Sequence, residues 1–79
     1  MSINKQFGDQ LREARKGHNL SAEKLAKSCG ISRSYVTLME TGRRLPSRKM
    51  IPLIADALGL PVNIIVNWYL EDLRAKLVK

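Results

Sequence analysis

The sequence predicts an all-α fold, a compact five-helix domain spanning residues 1–79. Three observations predict it. Apolar residues recur at three- and four-residue spacing, turn signals cut that pattern into five short stretches, and serines stand where helices should begin. The turn signals are Gly17-His18-Asn19, Cys29-Gly30, Thr41-Gly42, Leu45-Pro46-Ser47 and Gly59-Leu60-Pro61. A chain of 79 residues buries only about 60% of the surface its unfolded form exposes, enough for one core and not for two.

The first stretch, about residues 4–16, sets Phe7, Leu11 and Ala14 on one face with charges between them, and Gly17 is expected to end it. The second opens at Ser21, a good N-cap. It turns Leu25 and Ala26 inward and Lys24 and Lys27 outward, and it stops at Gly30, where a tight turn can use positive φ. Ser32 caps the third, in which Val36 and Met39 point to the core while Arg33, Ser34, Thr37 and Leu38 lie elsewhere; Gly42 ends it. The fourth starts near Ser47 and packs Met50, Ile51, Ile54, Ala55 and Leu58 before Gly59. Pro52 is tolerated there because it lies near the first turn.

Pro61 begins the fifth helix. On a wheel of about 100° per residue, Val62, Ile65, Val66, Tyr69, Leu70, Leu73 and Leu77 form one broad stripe, while Ile64, Trp68 and Ala75 fall nearly opposite. A terminal helix can bury one such face against its own domain. The face of Ile64 and Trp68, with Ala75 beside them, therefore asks for another surface, most simply a second copy of the chain, and residues 61–77 are expected to form a dimerisation helix. The alternative for Trp68 is to fold back on its own domain.

Fourteen Lys and Arg against seven Asp and Glu leave a net charge of +7. Nucleic-acid phosphates are the commonest soluble partner for such a field, with anionic membrane as the rival. No apolar run approaches the roughly 20 residues of a spanning helix, the start MSINKQFGDQ lacks a signal-peptide core, and the fifth helix is neither strongly basic nor one-sided. A cytoplasmic protein without membrane partners is expected. Cys29 and His18 are each single, so no internal disulfide, metal site, cofactor or small-molecule ligand is expected. Nothing pairs a nucleophile with a base, so an enzyme is not expected. Cys29, beside the turn glycine, reads as a small buried hydrophobe.

Residues 21–42, SAEKLAKSCGISRSYVTLMETG, read as a short helix, a glycine turn and a second short helix, the arrangement that lays a recognition helix in the major groove of DNA. Arg33 stands one position past the cap of that second helix, where a guanidinium can reach guanine O6 and N7 with two hydrogen bonds. Ser34 and Thr37 can bond a base edge or a phosphate, and Leu38 can touch a thymine methyl or pack inward. Arg43, Arg44, Arg48 and Lys49 follow in a basic loop suited to neutralising phosphates. Tyr35 can donate its hydroxyl to a phosphate or pack against the core.

The run from Leu11 to Pro61 resembles the Cro/phage-repressor (Xre-type) helix-turn-helix family. Leu25-Ala26, Gly30, Ser32, Val36, Glu40, Gly42, Arg44, Pro46, Ala55 and Leu58 carry the resemblance at the family's spacing. The chain is also similar, more weakly, to restriction-modification controller proteins. The resemblance implies a homodimeric regulator of transcription on double-stranded DNA, with base contacts at Arg33, Ser34, Thr37 and Leu38. It implies phosphate contacts around Ser21, Tyr35, Arg43, Arg44 and Ser47, and a structural ion pair between Arg15 and Glu40. Ala22 departs from the pattern, because the family usually has glutamine there, and one expected bond to the DNA backbone is missing with that amide. The competing reading is an antitoxin that neutralises a partner enzyme and represses its own operon; the five helices leave little chain for it.

Overall fold

The computed structural model describes residues 6–77. Among them stand the five expected helices: α1 (Phe7–Gly17), α2 (Ala22–Cys29), α3 (Arg33–Glu40), α4 (Met50–Leu58) and α5 (Val62–Leu77). Each of the first four puts a narrow apolar face inward. Phe7 and Leu11 from α1, Leu25 and Ala26 from α2, Val36 and Met39 from α3, and Met50, Ile51, Ile54, Ala55 and Leu58 from α4 share one core with Ile65 of α5. The packing runs in a closed circuit, with α1 on α3, α3 on α2, α2 on α4, α4 on α5 and α5 back on α1.

Three boundaries differ from the expectation, each for a local reason. Gly17 is the last residue of α1 and not its terminator; the left-handed position falls on Asn19 at φ 55°, a residue whose short polar side chain tolerates it. Start residues 4 and 5 of the expected first helix lie outside the described residues. α4 begins at Met50, later than Ser47, because the Ser47 carbonyl accepts the Met50 amide at 3.0 Å in a turn that precedes the helix. Pro61 sits just ahead of α5, its carbonyl accepting the Ile64 amide at 3.1 Å.

α1 meets α3 at Gly8. A Cβ on Gly8 would overlap the carbonyl oxygens of Met39 and Glu40, so the absence of a side chain lets the two backbones approach. Beside that crossing, Arg15 Nε and Nη2 donate to Glu40 Oε2 and Oε1 at 2.6 and 3.0 Å, while Arg15 Nη1 donates to the Leu20 carbonyl at 2.8 Å. The bond to Glu40 holds the Arg15 guanidinium still more firmly protonated than usual, against the opposing effect of burial. One pair thus fixes α1, the α1–α2 turn and the end of α3.

Candidate nucleic-acid interface

α2 and α3 are set by signals within a few residues of each end. The Ser21 hydroxyl accepts the Lys24 amide and the Ser32 hydroxyl accepts the Tyr35 amide, both at 3.1 Å. Each serine satisfies an amide that the first helical turn leaves without a partner. Between the helices Gly30 closes α2 at φ 69°, and the Ile31 amide returns to the Ala26 carbonyl at 3.0 Å. That left-handed residue ends α2 and lets α3 start at Arg33, with its own apolar side, Val36 and Met39, buried in the shared core.

The opposite side of α3 is open. Arg33, Ser34 and Thr37 are exposed and Leu38 is half-buried; at about 100° per residue these four share one half of the helix surface. Thr41 lies on the same side, its hydroxyl turned back to the Thr37 carbonyl at 2.8 Å. The chain then doubles under the helix: the amides of Arg43 and Arg44 both donate to the Leu38 carbonyl, at 2.9 and 3.2 Å. Buried Pro46 and half-buried Leu45 anchor the loop, leaving Arg43, Arg44, Ser47, Arg48 and Lys49 exposed. Ser47, Arg48 and Lys49 line an open surface depression ahead of α4. Tyr35 is half-buried and packs against the core, with the Arg44 guanidinium carbon 5.8 Å from its ring centroid.

The helix-turn-helix domain family profile matches residues 6–63, the stretch from α1 into the start of α5. The chain belongs to the helix-turn-helix domain family. Within it, this helix-turn-helix chain is of the Cro and phage-repressor kind of DNA-binding regulator. It is 36% identical over 61 residues to the ImmF control region 10 kDa protein of Bacillus phage phi105, an alignment covering 77% of this chain and 68% of that protein. It is 32% identical over 59 residues to the transcriptional regulator ClgR of Mycobacterium tuberculosis, covering 75% of this chain and about half, 53%, of that one. The crystal structure of the restriction-modification controller protein C.AhdI from Aeromonas hydrophila superposes with a TM-score of 0.71 at 41% identity, over 75% of this chain and 89% of that chain.

Two other candidate features resolve structurally. Cys29 is buried; burial pushes its thiol upward, with Asp56 adding to the effect, and a thiol so held is a poor nucleophile at neutral pH. Among the described residues no group of three His, Cys, Asp or Glu is placed to hold a metal, and no helix is long and apolar enough to cross a membrane.

The fifth helix of this regulator is seated by an inner line that its two flanks border. Its innermost line is Ile65 and Asp72, seven residues apart and so on the same side of the helix. Trp68 is half-buried and packs edge-on to Phe7, with ring centroids 6.3 Å apart and planes at 72°. The side holding Ile64, Trp68 and Ala75 is half-buried within the chain. The apolar surface left open is the other flank, with Val62, Leu70 and Leu77 exposed at 47%, 51% and 75%. Both flanks are thus apolar, and the line between them ends in a carboxylate. Asp72, 2% exposed, accepts the Phe7 backbone amide at 2.8 Å and the Lys76 ammonium at 2.6 Å. It supplies the acceptor that Gln6, at the N-cap of α1, does not. Gln10 adds a second tie, donating to Glu71 at 3.2 Å.

Proposed function

We propose that the protein is a sequence-specific regulator of transcription that binds double-stranded DNA as a homodimer, with α3 in the major groove. The observation that carries this reading is the open side of α3, where Arg33, Ser34 and Thr37 stand exposed together beside a basic loop anchored to the same helix. In this reading Arg33, Ser34, Thr37 and Leu38 meet base edges, because side chains near the start of a groove-bound helix reach the donors and acceptors that differ between base pairs. Ser21, Tyr35, Arg43, Arg44, Ser47, Arg48 and Lys49 meet phosphates, which fix register without carrying sequence. No catalytic chemistry is assigned to it, and its place is the cytoplasm. The likeness to the phage control-region protein and to C.AhdI supports the regulatory role.

The exposed apolar flank of α5 supports the dimeric half of the proposal, since Val62, Leu70 and Leu77 along one side are better covered by a second copy than hydrated. In this reading the contact draws on the exposed flank of Val62, Leu70 and Leu77, with the half-buried Ile64, Trp68 and Ala75 as the alternative face. A twofold axis there calls for an operator that is an inverted repeat, with half-site centres about 10 base pairs apart if the two copies of α3 enter successive major grooves.

Selection of bound sites from random duplex DNA tests the whole reading. The expected result is an inverted repeat, bound with a steep salt dependence, in which Arg33→Ala costs about 1–3 kcal/mol and relaxes one base position per half-site. Arg43→Ala and Lys49→Ala should weaken all sequences alike. Recovery of no preferred sequence, or a motif unchanged by Arg33→Ala but altered by Arg43→Ala, defeats the assignment. Leu70→Glu should shift the protein toward monomer in sedimentation equilibrium; a monomeric wild type at tens of micromolar removes the dimer.

A further inference from the structure

Tyr35 and Arg44 stand in a relation that separate phosphate contacts do not require. Tyr35 leaves α3 about 60° beyond Leu38 on the helix circumference, between the open side and the buried one. It packs against the core and holds the Arg44 guanidinium carbon at 5.8 Å from the ring centroid. This lies within the reach of the attraction between a cation and an aromatic face. The backbone delivers Arg44 to that place, because its amide and that of Arg43 both bond the Leu38 carbonyl. Recognition helix and basic loop are thus joined twice, through a carbonyl and through a ring.

We propose that Tyr35 is a positioning residue whose ring presets the Arg44 guanidinium at the edge of α3 for a DNA phosphate. The inference rests on the DNA-binding reading. An arginine on a loop loses several rotamers when it engages a phosphate, and a guanidinium held beforehand loses fewer. Guanidinium on an aromatic face also keeps the N–H groups at its periphery free to bond, so the stack and a phosphate bond are compatible. The ring does the positioning, and the hydroxyl is left free for a phosphate.

The test is a double-mutant cycle read by affinity for a mixed-sequence DNA duplex across a salt series. Arg44→Ala should reduce the slope of log K against log salt by about 0.9 for each phosphate that goes unneutralised. Arg44→Ala should cost as much in a Tyr35→Phe background as in wild type, because the ring remains. Tyr35→Leu should bind about two- to fivefold more weakly per protomer than Tyr35→Phe, and Arg44→Ala should cost less in the leucine background than in wild type. Equal cost of Arg44→Ala in the wild-type and Tyr35→Leu backgrounds overturns the inference, as does a cost in the Tyr35→Phe background as small as that in Tyr35→Leu. Wild type without salt-dependent binding overturns the DNA reading along with it. Independently of how any variant folds, the Arg44 side-chain protons of the free wild-type protein should carry an upfield ring-current shift in NMR spectra; ordinary shifts there overturn the proposal.

Discussion

α2 and α3 begin at serines that cap them from three residues away and are separated by a left-handed glycine, whereas α5, packed on the adjacent α4, is tied by side-chain hydrogen bonds to partners more than sixty residues distant. Phe7 is 65 residues from Asp72 and Gln10 is 61 from Glu71. The pair proposed to read DNA carries its own instructions, and the helix proposed for dimerisation borrows part of its instructions from α1. That difference teaches where a substitution acts: changes in α2 or α3 act on local geometry and core, changes in α5 act through its seats on α4 and α1.

The largest effect should come from Leu25→Ala, at a side chain with no exposure in the core beneath the turn. A loss of about 2–5 kcal/mol is expected, lowering the thermal midpoint by at least about 8 °C. A loss below about 1 kcal/mol would show the turn motif to be less dependent on its core than described. Next is Gly8→Ala, which forces a methyl group against the Met39 and Glu40 carbonyl oxygens. Urea unfolding should report a loss of about 1–3 kcal/mol, and wild-type stability would mean that α1 and α3 can part without cost.

Asp72→Ala should follow at about 1–2 kcal/mol, since it removes an N-terminal acceptor from α1 and a partner from Lys76. Its signature is spatial. Amide exchange should quicken at the start of α1 and along α5 while α2 and α3 stay protected; uniform quickening would erase the contrast between the regions. Ser32→Ala is the smallest, about 1 kcal/mol, with the change in exchange centred on the Tyr35 amide.

The helix count, the caps at Ser21 and Ser32, the turn at Gly30 and the buried faces of α1 to α4 were legible because each depends on residues three or four apart. The Arg15–Glu40 pair was legible only through resemblance, since nothing in spacing joins residues 25 apart. α5 is less legible for a physical reason. Hydrophobicity marks which positions avoid water but not which neighbour meets them, and the edge contact of Trp68 with Phe7 is invisible to a wheel. Asp72 does leave a signal, standing seven residues after Ile65 on the inward line, but a carboxylate there has meaning only once the Phe7 amide is known to end against it. Gly8 leaves none: its role exists in the α1–α3 crossing alone. On the candidate site, the exposed group Arg33, Ser34 and Thr37 was readable from the helix period, while the ring of Tyr35 beside Arg44 needed the path of the loop.

The bond from the Phe7 amide to Asp72 also sets an order of events. As the chain is made, α1 emerges well before α5, and its leading amide has no carboxylate to bond until Asp72 follows. The turn motif, lying between them, can collapse on its local contacts meanwhile. Contacts spanning most of a chain form late because a long loop must close before they stabilise anything. α1 is therefore completed by α5, and a nascent chain interrupted within α5 would carry a formed turn motif on an unfinished base.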